Sequence, residues 1–291
     1  MSMQDAREIL LDVAAKLKAV SINSPQQDAR LLLGAALGRD NAVLPHETIL
    51  FGDKEKANLK ILIARRVARE PISRIRGWRE FWSLRFALSS ATLDPRPDSE
   101  IIVATAIAAA KVQIVADPDK QLKLLDLGTG SGCLLLACLS ELPQAKGLGL
   151  DISQDALATA RDNATALGLA GQSRFEQHSF VDDMSQFGKF DIILCNPPYI
   201  PAAEIAGLEP EVASYEPMRA LDGGADGLDC WRGLMTVVPS CLVADGFLIV
   251  EIGLGQEGDV IQLAEKANMI CVESLKDLAG ITRCLKFKLK N

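Results

Sequence analysis

Asn196, Pro197, Pro198 and Tyr199 follow directly on the apolar run "FDIILC" at residues 190–195. Ile192 to Cys195 read as a short buried strand. The proline pair after them cannot continue a hydrogen-bonded ladder and fixes the backbone where the strand stops. An amide and a phenol held at that position suit one task, the presentation of a planar NH₂ group. Such a nitrogen is a weak nucleophile because its lone pair is delocalised. The Asn196 side-chain oxygen and the Pro197 carbonyl can each accept one N–H. That turns the lone pair toward an electrophile and favours a pyramidal, more nucleophilic nitrogen. Tyr199 can stack on the flat group while Pro198 stiffens the loop. The acceleration comes from positioning and from dipoles aimed at positive charge developing on nitrogen. No general base is demanded, because the alkylated amide is acidic enough to lose its proton to water. A plain strand-end turn is the alternative.

The electrophile is indicated further upstream. "DLGTGSG" at residues 126–132 lies between a predicted strand and a predicted helix, where a doubly wound sheet binds its ligand. Gly128, Gly130 and Gly132 permit a tight turn and a close approach by a cofactor. The loop has no P-loop lysine, and its spacing departs from the G-x-G-x-x-G dinucleotide fingerprint. Asp151 ends the second predicted strand, where a carboxylate can accept both hydroxyls of a ribose. A nucleoside without a pyrophosphate fits this arrangement better than NAD. S-adenosylmethionine is such a molecule, with a sulfonium that acidic surroundings favour.

The elements that must position these residues alternate from about residue 101 onward as helix and strand, the pattern of a mostly parallel sheet covered on both faces. "LKLLDL", "KGLGLD", "SRFEQHS" and "FDIILC" read as the first four strands, and "GFLIVEIG" as the fifth. The last two, "MICVESLKD" and "TRCLKFKLK", are separated by too few residues for a helical crossover and should be antiparallel. Before residue 70 the chain reads as helices only: "QDAREILLDVAAKLKAV", "SPQQDARLLLGAALG" with its Ser-Pro start, and "GDKEKANLKILIARRVARE". Residues 72–100, rich in aromatic and alternating residues, read as a β-hairpin or extended linker. Seven arginines fall between residues 65 and 85, either a solvated basic face or a binding surface.

Composition narrows the function classes. The 291 residues are 48% hydrophobic and 24% charged, ordinary for a globular protein. The most apolar stretch, "IIVATAIAAAKVQIVA" (101–116), contains a lysine and is read as too short to cross a membrane. The start "MSMQDAREIL" has no apolar signal core, which predicts a cytoplasmic protein. Seven cysteines form no C-x-x-C pair and are expected to be free thiols, with no metal bound. His46 and His178, the only histidines, are too far apart in sequence to indicate a metal centre or a serine triad. Residues 1–100 hold 16 Lys/Arg against 13 Asp/Glu, whereas residues 101–291 hold 15 against 25. So acidic a catalytic half is a poor match for a groove gripping nucleic-acid phosphates.

"NPPY" behind "DLGTGSG" resembles the amino-group methyltransferases, and the rest of the chain resembles one branch, the HemK/PrmC family. The matching stretches are "EPISRIRGWREFWSL", "LDPRPDSE", "LDLGTGSG", "NPPYIP", "YEPMRALDGGADGL", "EIGLGQ" and "DLAGITR", in that order between residues 70 and 283. The resemblance implies a Rossmann-like S-adenosylmethionine-dependent methyltransferase fold, seven-stranded and mostly parallel, with a small all-helical N-terminal domain. It implies methylation of the glutamine side chain in the GGQ motif of peptide-chain release factors. Carried over, Gly128, Thr129, Gly130, Ser131 and Gly132 form the cofactor loop, Asp151 the ribose acid, and Asn196 to Tyr199 the glutamine clamp, with Asn196 also near the cofactor. Phe180 matches an aromatic that lies against adenine. Two positions depart from the pattern: Ser179 stands where relatives often carry an acid, and Asp94 replaces an apolar residue. The expected domains are residues 1–72 for docking the release factor, 73–97 as a hairpin linker, and 98–291 for catalysis. A monomer acting in translation termination, with no nucleic acid or membrane partner, completes the expectation. A DNA or RNA adenine methyltransferase shares the cofactor and clamp but predicts a strongly basic face. An NAD-dependent oxidoreductase is disfavoured by the loop spacing, and a non-catalytic adaptor by the intact motifs.

Overall fold

The computed structural model describes residues 2–277 and 279–290. Met1, Leu278 and Asn291, which fall in the predicted first domain, the "DLAGITR" stretch and the predicted last domain, lie outside the described residues. The chain divides into two compact units. One comprises Met1–Trp78 with Glu209–Tyr215, the other Arg79–Leu208 with Glu216–Asn291.

In the first unit, α1 (Ala6–Ala19), α2 (Pro25–Ala36) and α3 (Asp53–Val67) follow the predicted helices. Asp5 caps α1 by accepting the Arg7 N–H at 2.8 Å, and Pro25 opens α2, where a missing donor costs nothing. Ala6, Leu10, Val13 and Leu17 recur on one face of α1 and are buried with Ala29, Leu32 and Leu33 of α2. Three further elements were not expected. β1 (Ser2–Asp5) pairs antiparallel with β2 (Thr48–Phe51), adding a small ribbon to a region read as helices only. Each strand is four residues long and its partner is remote in sequence, so neither produces a period of its own. α4 (Ile72–Arg76) occupies the start of the predicted hairpin, bounded by Pro71 and by Gly77 in the left-handed conformation.

The arginine-rich stretch is held by partners inside the chain. Arg65 bonds Glu70 through two nitrogens. Buried Arg66 bonds Asp28 at 2.7 Å and Glu211 at 3.1 Å. Arg69 bonds Glu211 at 2.8 Å, and the Arg76 guanidinium lies 3.9 Å from the centre of the Trp78 ring. Arg79 faces Asp94 at 3.8 Å, and Arg74 and Arg85 also have partners. Most of this charge ties the fold together.

The hairpin itself is β3 (Trp78–Phe81) and β4 (Leu84–Ala87), turned through Trp82 and Ser83, both at positive φ. Then α5 (Glu100–Ala116) leads into the sheet. With its preceding turn this helix spans 20 residues and is long and apolar enough to cross a membrane, which corrects the reading of 101–116 as too short. Its Ile102, Val103, Ala106 and Ala110 are buried in the core.

The remaining elements are β5 (Lys123–Leu127), α6 (Cys133–Glu141), β6 (Lys146–Asp151), α7 (Gln154–Ala166), β7 (Ser173–Gln177), β8 (Phe190–Cys195), α8 (Pro210–Ala213), α9 (Asp229–Cys241), β9 (Leu242–Glu251), α10 (Glu257–Lys266), β10 (Met269–Lys276) and β11 (Thr282–Leu289). The seven-stranded sheet runs β10-β11-β9-β8-β5-β6-β7. β11 is antiparallel to β10, as predicted, and also to β9, and the other pairings of this sheet are parallel. β9 begins four residues before the predicted strand "GFLIVEIG", because Leu242 pairs with Phe190. All six residues of β8 are buried. The chain leaves β5 for β6 and β7 on one side and returns to β8 on the other. The carboxyl ends of β5 and β8 therefore border the switch point.

Candidate active site

At that switch point lies a cleft, partly open to solvent. Gly128, Thr129, Gly130, Ser131, Asp151, Phe180, Asn196 and Pro198 line it, eight residues singled out by the sequence. Gly132, Pro197 and Tyr199 do not. Gly132 starts α6 at φ +80°, where an added Cβ would meet Leu136 at 3.1 Å and Ala160 at 3.3 Å. Pro197 is buried, and Tyr199 is anchored behind the loop by its hydroxyl.

The glycine loop is held as a concave turn. Gly128 and Thr129 both donate backbone N–H to the Leu150 carbonyl at 2.9 Å. The Asp151 carboxylate accepts the Gly130 N–H at 2.9 Å and the Ser153 N–H at 2.8 Å. A carboxylate has about four acceptor sites, so Asp151 is oriented by two backbone donors and keeps capacity for ribose hydroxyls. Phe180 packs 3.4 Å from where a Cβ on Gly128 would stand, so a side chain there would crowd the ring. These features fit a nucleoside laid over the loop.

Asp126 sits beneath the loop and was not singled out as a site residue. Its carboxylate accepts the Thr129 hydroxyl at 2.6 Å. Burial pushes its pKa up to about 7, against the pull of the Thr129 bond.

Asn196 donates Nδ2–H to Ser99 Oγ at 3.3 Å. Its Oδ1 accepts no hydrogen bond among the described residues. Ser99 Oγ donates to Glu251, the buried last residue of β9, and the Tyr199 hydroxyl donates to the other Glu251 oxygen at 3.0 Å. Burial and the Glu251 charge both push the Tyr199 phenol up, so it remains a donor. Gln256 accepts the Gly253 N–H at 3.0 Å and donates to the carbonyls of Tyr199 (3.0 Å) and Gly227 (3.1 Å).

Residues 222–229, given no role by the sequence, brace the same loop. Ile200 N–H bonds the Leu221 carbonyl at 3.0 Å, Gly223 N–H bonds the Ile200 carbonyl at 2.9 Å, and Ala202 N–H bonds the Gly224 carbonyl at 2.9 Å. Gly227 has φ +77°, and a Cβ there would come within 2.5 Å of the Tyr199 carbonyl oxygen. "DGGADGL" and "EIGLGQ" are thus scaffolds for "NPPY". The pairing of Gln256 with Tyr199, 57 residues apart, leaves no local pattern.

The opposite wall holds Leu93, Pro95 and Arg96, with Arg219 exposed at the mouth. Arg96 bonds Glu216 at 3.3 Å, and Glu216 also accepts the Asp94 N–H at 3.1 Å. Asp94, the departure from the commoner motif, is 2% exposed and faces Arg79, so its charge is compensated locally. Ser179 accepts the Val181 N–H at 3.5 Å. The seven cysteines are free.

Comparison with known proteins agrees with this geometry. Residues 118–223 match a methyltransferase domain family and residues 8–77 the PrmC N-terminal domain family. The chain is 47% identical to the release factor glutamine methyltransferase of Rhodospirillum rubrum, covering 95% of this chain and 83% of that one. It is 43% identical to the protein of the same name from Bradyrhizobium diazoefficiens, covering 98% and 94%. Among solved structures, the hMettl16 catalytic domain in complex with a 3'UTR hairpin superposes with a TM-score of 0.56 at 12% identity, over 86% of this chain and 87% of that one, a likeness of fold.

Proposed function

The chain belongs to the release factor glutamine methyltransferase family, and from that premise we propose that Asn196 and Pro197 hold the side-chain amide of the GGQ glutamine for methylation. S-adenosylmethionine is the cofactor and supplies an electrophilic methyl group on its sulfonium when bound. The glycine loop from Gly128 to Ser131 cradles it, Asp151 takes the ribose hydroxyls, and Phe180 offers a flat face to the adenine. Asn196 Oδ1 accepts one N–H of the glutamine and the Pro197 carbonyl the other. Their two dipoles fix the nitrogen and stabilise the positive charge that grows on it. Pro198 walls the cleft, and Tyr199, fixed through Glu251, keeps the loop in one conformation. The nitrogen releases its proton to solvent, and no residue of the chain is needed to take it.

The observation that carries this reading is that Asn196, whose Oδ1 accepts no hydrogen bond among the described residues, lines the cleft that also holds the glycine loop and Asp151. The substrate is a release factor. On sequence grounds the reading also includes a helical unit that docks that factor, a monomer in the cytoplasm acting in translation termination, and neither nucleic acid nor membrane as partner. The test is incubation of the purified chain and labelled S-adenosylmethionine with an unmethylated release factor, with the mark mapped by mass spectrometry. A mark confined to the GGQ glutamine is expected. A mark on an adenine oligonucleotide and none on the factor would overturn the reading, and sedimentation as a dimer would overturn the monomer.

A further inference from the structure

We propose that Glu251 is a positioning residue which, through Ser99, determines which end of the Asn196 amide faces the cleft. The inference rests on the clamp assigned to Asn196 above. An asparagine amide has an oxygen end and a nitrogen end of nearly the same shape, and only the oxygen end can receive a substrate N–H. A half-turn about the last side-chain bond would present two donors to an incoming NH₂ group and repel it. Shape alone does not select between these states.

The hydrogen bonds behind the cleft do select. Glu251 is 3% exposed and does not line the cleft. Its carboxylate can only accept. One oxygen takes the Tyr199 phenol at 3.0 Å, and the other takes the Ser99 hydroxyl. A serine hydroxyl has one proton, and at Ser99 that proton is committed to Glu251. The Ser99 oxygen is left to accept, and Asn196 meets it with Nδ2 at 3.3 Å. Oδ1 is therefore the end left for substrate. Ser99 is 97 residues before Asn196 and arrives from the turn that opens α5, whereas Glu251 comes from β9 beside β8. Three elements meet to fix one torsion. Burial pushes the Glu251 carboxyl up, while the Ser99 and Tyr199 bonds, the Arg283 charge and a hydrogen bond from Asn196 itself pull it back toward the ionised form. The Asn196 nitrogen end is thus drawn to Glu251 directly as well as through Ser99.

Glu251→Gln tests this with almost no change of shape. A glutamine must donate with one end, which reverses the bond to Ser99 or removes the acceptor from Tyr199. With a release factor as substrate, kcat should fall about 10- to 100-fold, while KM for both substrates moves less than about threefold. Ser99→Ala should shift kcat in the same direction. The double variant should be no slower than the slower single one, because both remove one relay. Asn196→Ala is run in parallel. If Asn196→Ala collapses the rate but Glu251→Gln keeps kcat within about twofold of the parent, the relay is refuted and the clamp stands. If Asn196→Ala keeps the parent rate, the clamp itself fails. A Glu251→Gln variant that raises KM for both substrates and melts early would show a structural role only and would also refute the proposal.

Discussion

Asp151 accepts the backbone N–H of Gly130 at 2.9 Å, so the proposed ribose acid and the glycine loop are one hydrogen-bonded unit. The same carboxylate takes Ser153 N–H at 2.8 Å, at the start of α7. Asp151→Ala therefore removes the predicted ribose acceptor and also releases the loop. Cofactor affinity should drop by about 10- to 100-fold, corresponding to one or two charge-assisted hydrogen bonds. Asp151→Asn should fall short of the parent too, since its NH₂ end opposes a backbone donor. Titration calorimetry showing parent affinity for Asp151→Ala would rule out the ribose role.

Asp126 predicts a pH dependence. In the unfolded chain its carboxyl has an ordinary pKa near 3.8, and in the folded chain burial holds it at about 7. Between those values the unfolded state binds fewer protons, so this residue's contribution to stability falls as pH rises from about 4 to about 7. Above that window the accumulated cost is at most about 4 kcal/mol. Asp126→Asn has no such charge to bury. Measured against the parent by urea denaturation, it should gain stability steadily across that window. A difference that stays flat from pH 4 to pH 8 would show that Asp126 does not titrate there.

Glu211 joins the segment Glu209–Tyr215 to the helical unit. It accepts from buried Arg66 at 3.1 Å and from Arg69 at 2.8 Å, and Tyr215 donates to the Ala68 carbonyl at 2.7 Å. Glu211→Ala leaves the Arg66 guanidinium with Asp28 and the Glu70 carbonyl and should destabilise this unit by roughly 2 kcal/mol. Glu211→Gln keeps one acceptor but turns an NH₂ donor toward the other arginine, so it should also lose stability. Equal stability of parent and Glu211→Ala by chemical denaturation would show that the segment is held by other contacts.

The division between what could be read from the sequence and what could not follows the range of the interactions. β8, the glycine loop and the antiparallel last pair are legible because a short apolar run, a glycine spacing and a short connection are local signals. Asp151 is legible by its distance from the loop. The β1–β2 ribbon is not, since each strand is four residues long and gains its stability from a remote partner. α4 is a single turn whose only signals are Pro71 and Gly77. Ser99 and Glu251 are hidden for a related reason: their significance lies in hydrogen bonds across 97 and 52 residues, which no spacing announces. The seven arginines read as a basic surface because charge is visible in a sequence and pairing is not.

Asn196→Ala separates the clamp from the other readings. In the proposed site the side chain holds the substrate nitrogen, whereas the cofactor rests on the glycine loop and Asp151. Its removal should leave cofactor affinity within a few-fold and reduce methyl transfer by about 100- to 1,000-fold, the scale of losing one aligned acceptor, or more if lone-pair orientation is lost as well. Asn196→Asp keeps an acceptor but places a second carboxylate near Glu251 and opposes the Ser99 oxygen with no donor. It should bind a cationic cofactor at least as tightly as the parent and still transfer slowly. A nucleic-acid enzyme would show the same collapse on an adenine oligonucleotide, and a dehydrogenase or an adaptor would show no transfer with any variant. Single-turnover assays on a release factor, paired with calorimetry for S-adenosylmethionine, measure both quantities. Parent-like transfer by Asn196→Ala would mean that the glutamine amide is held by other groups and that the "NPPY" loop serves only to shape the cleft.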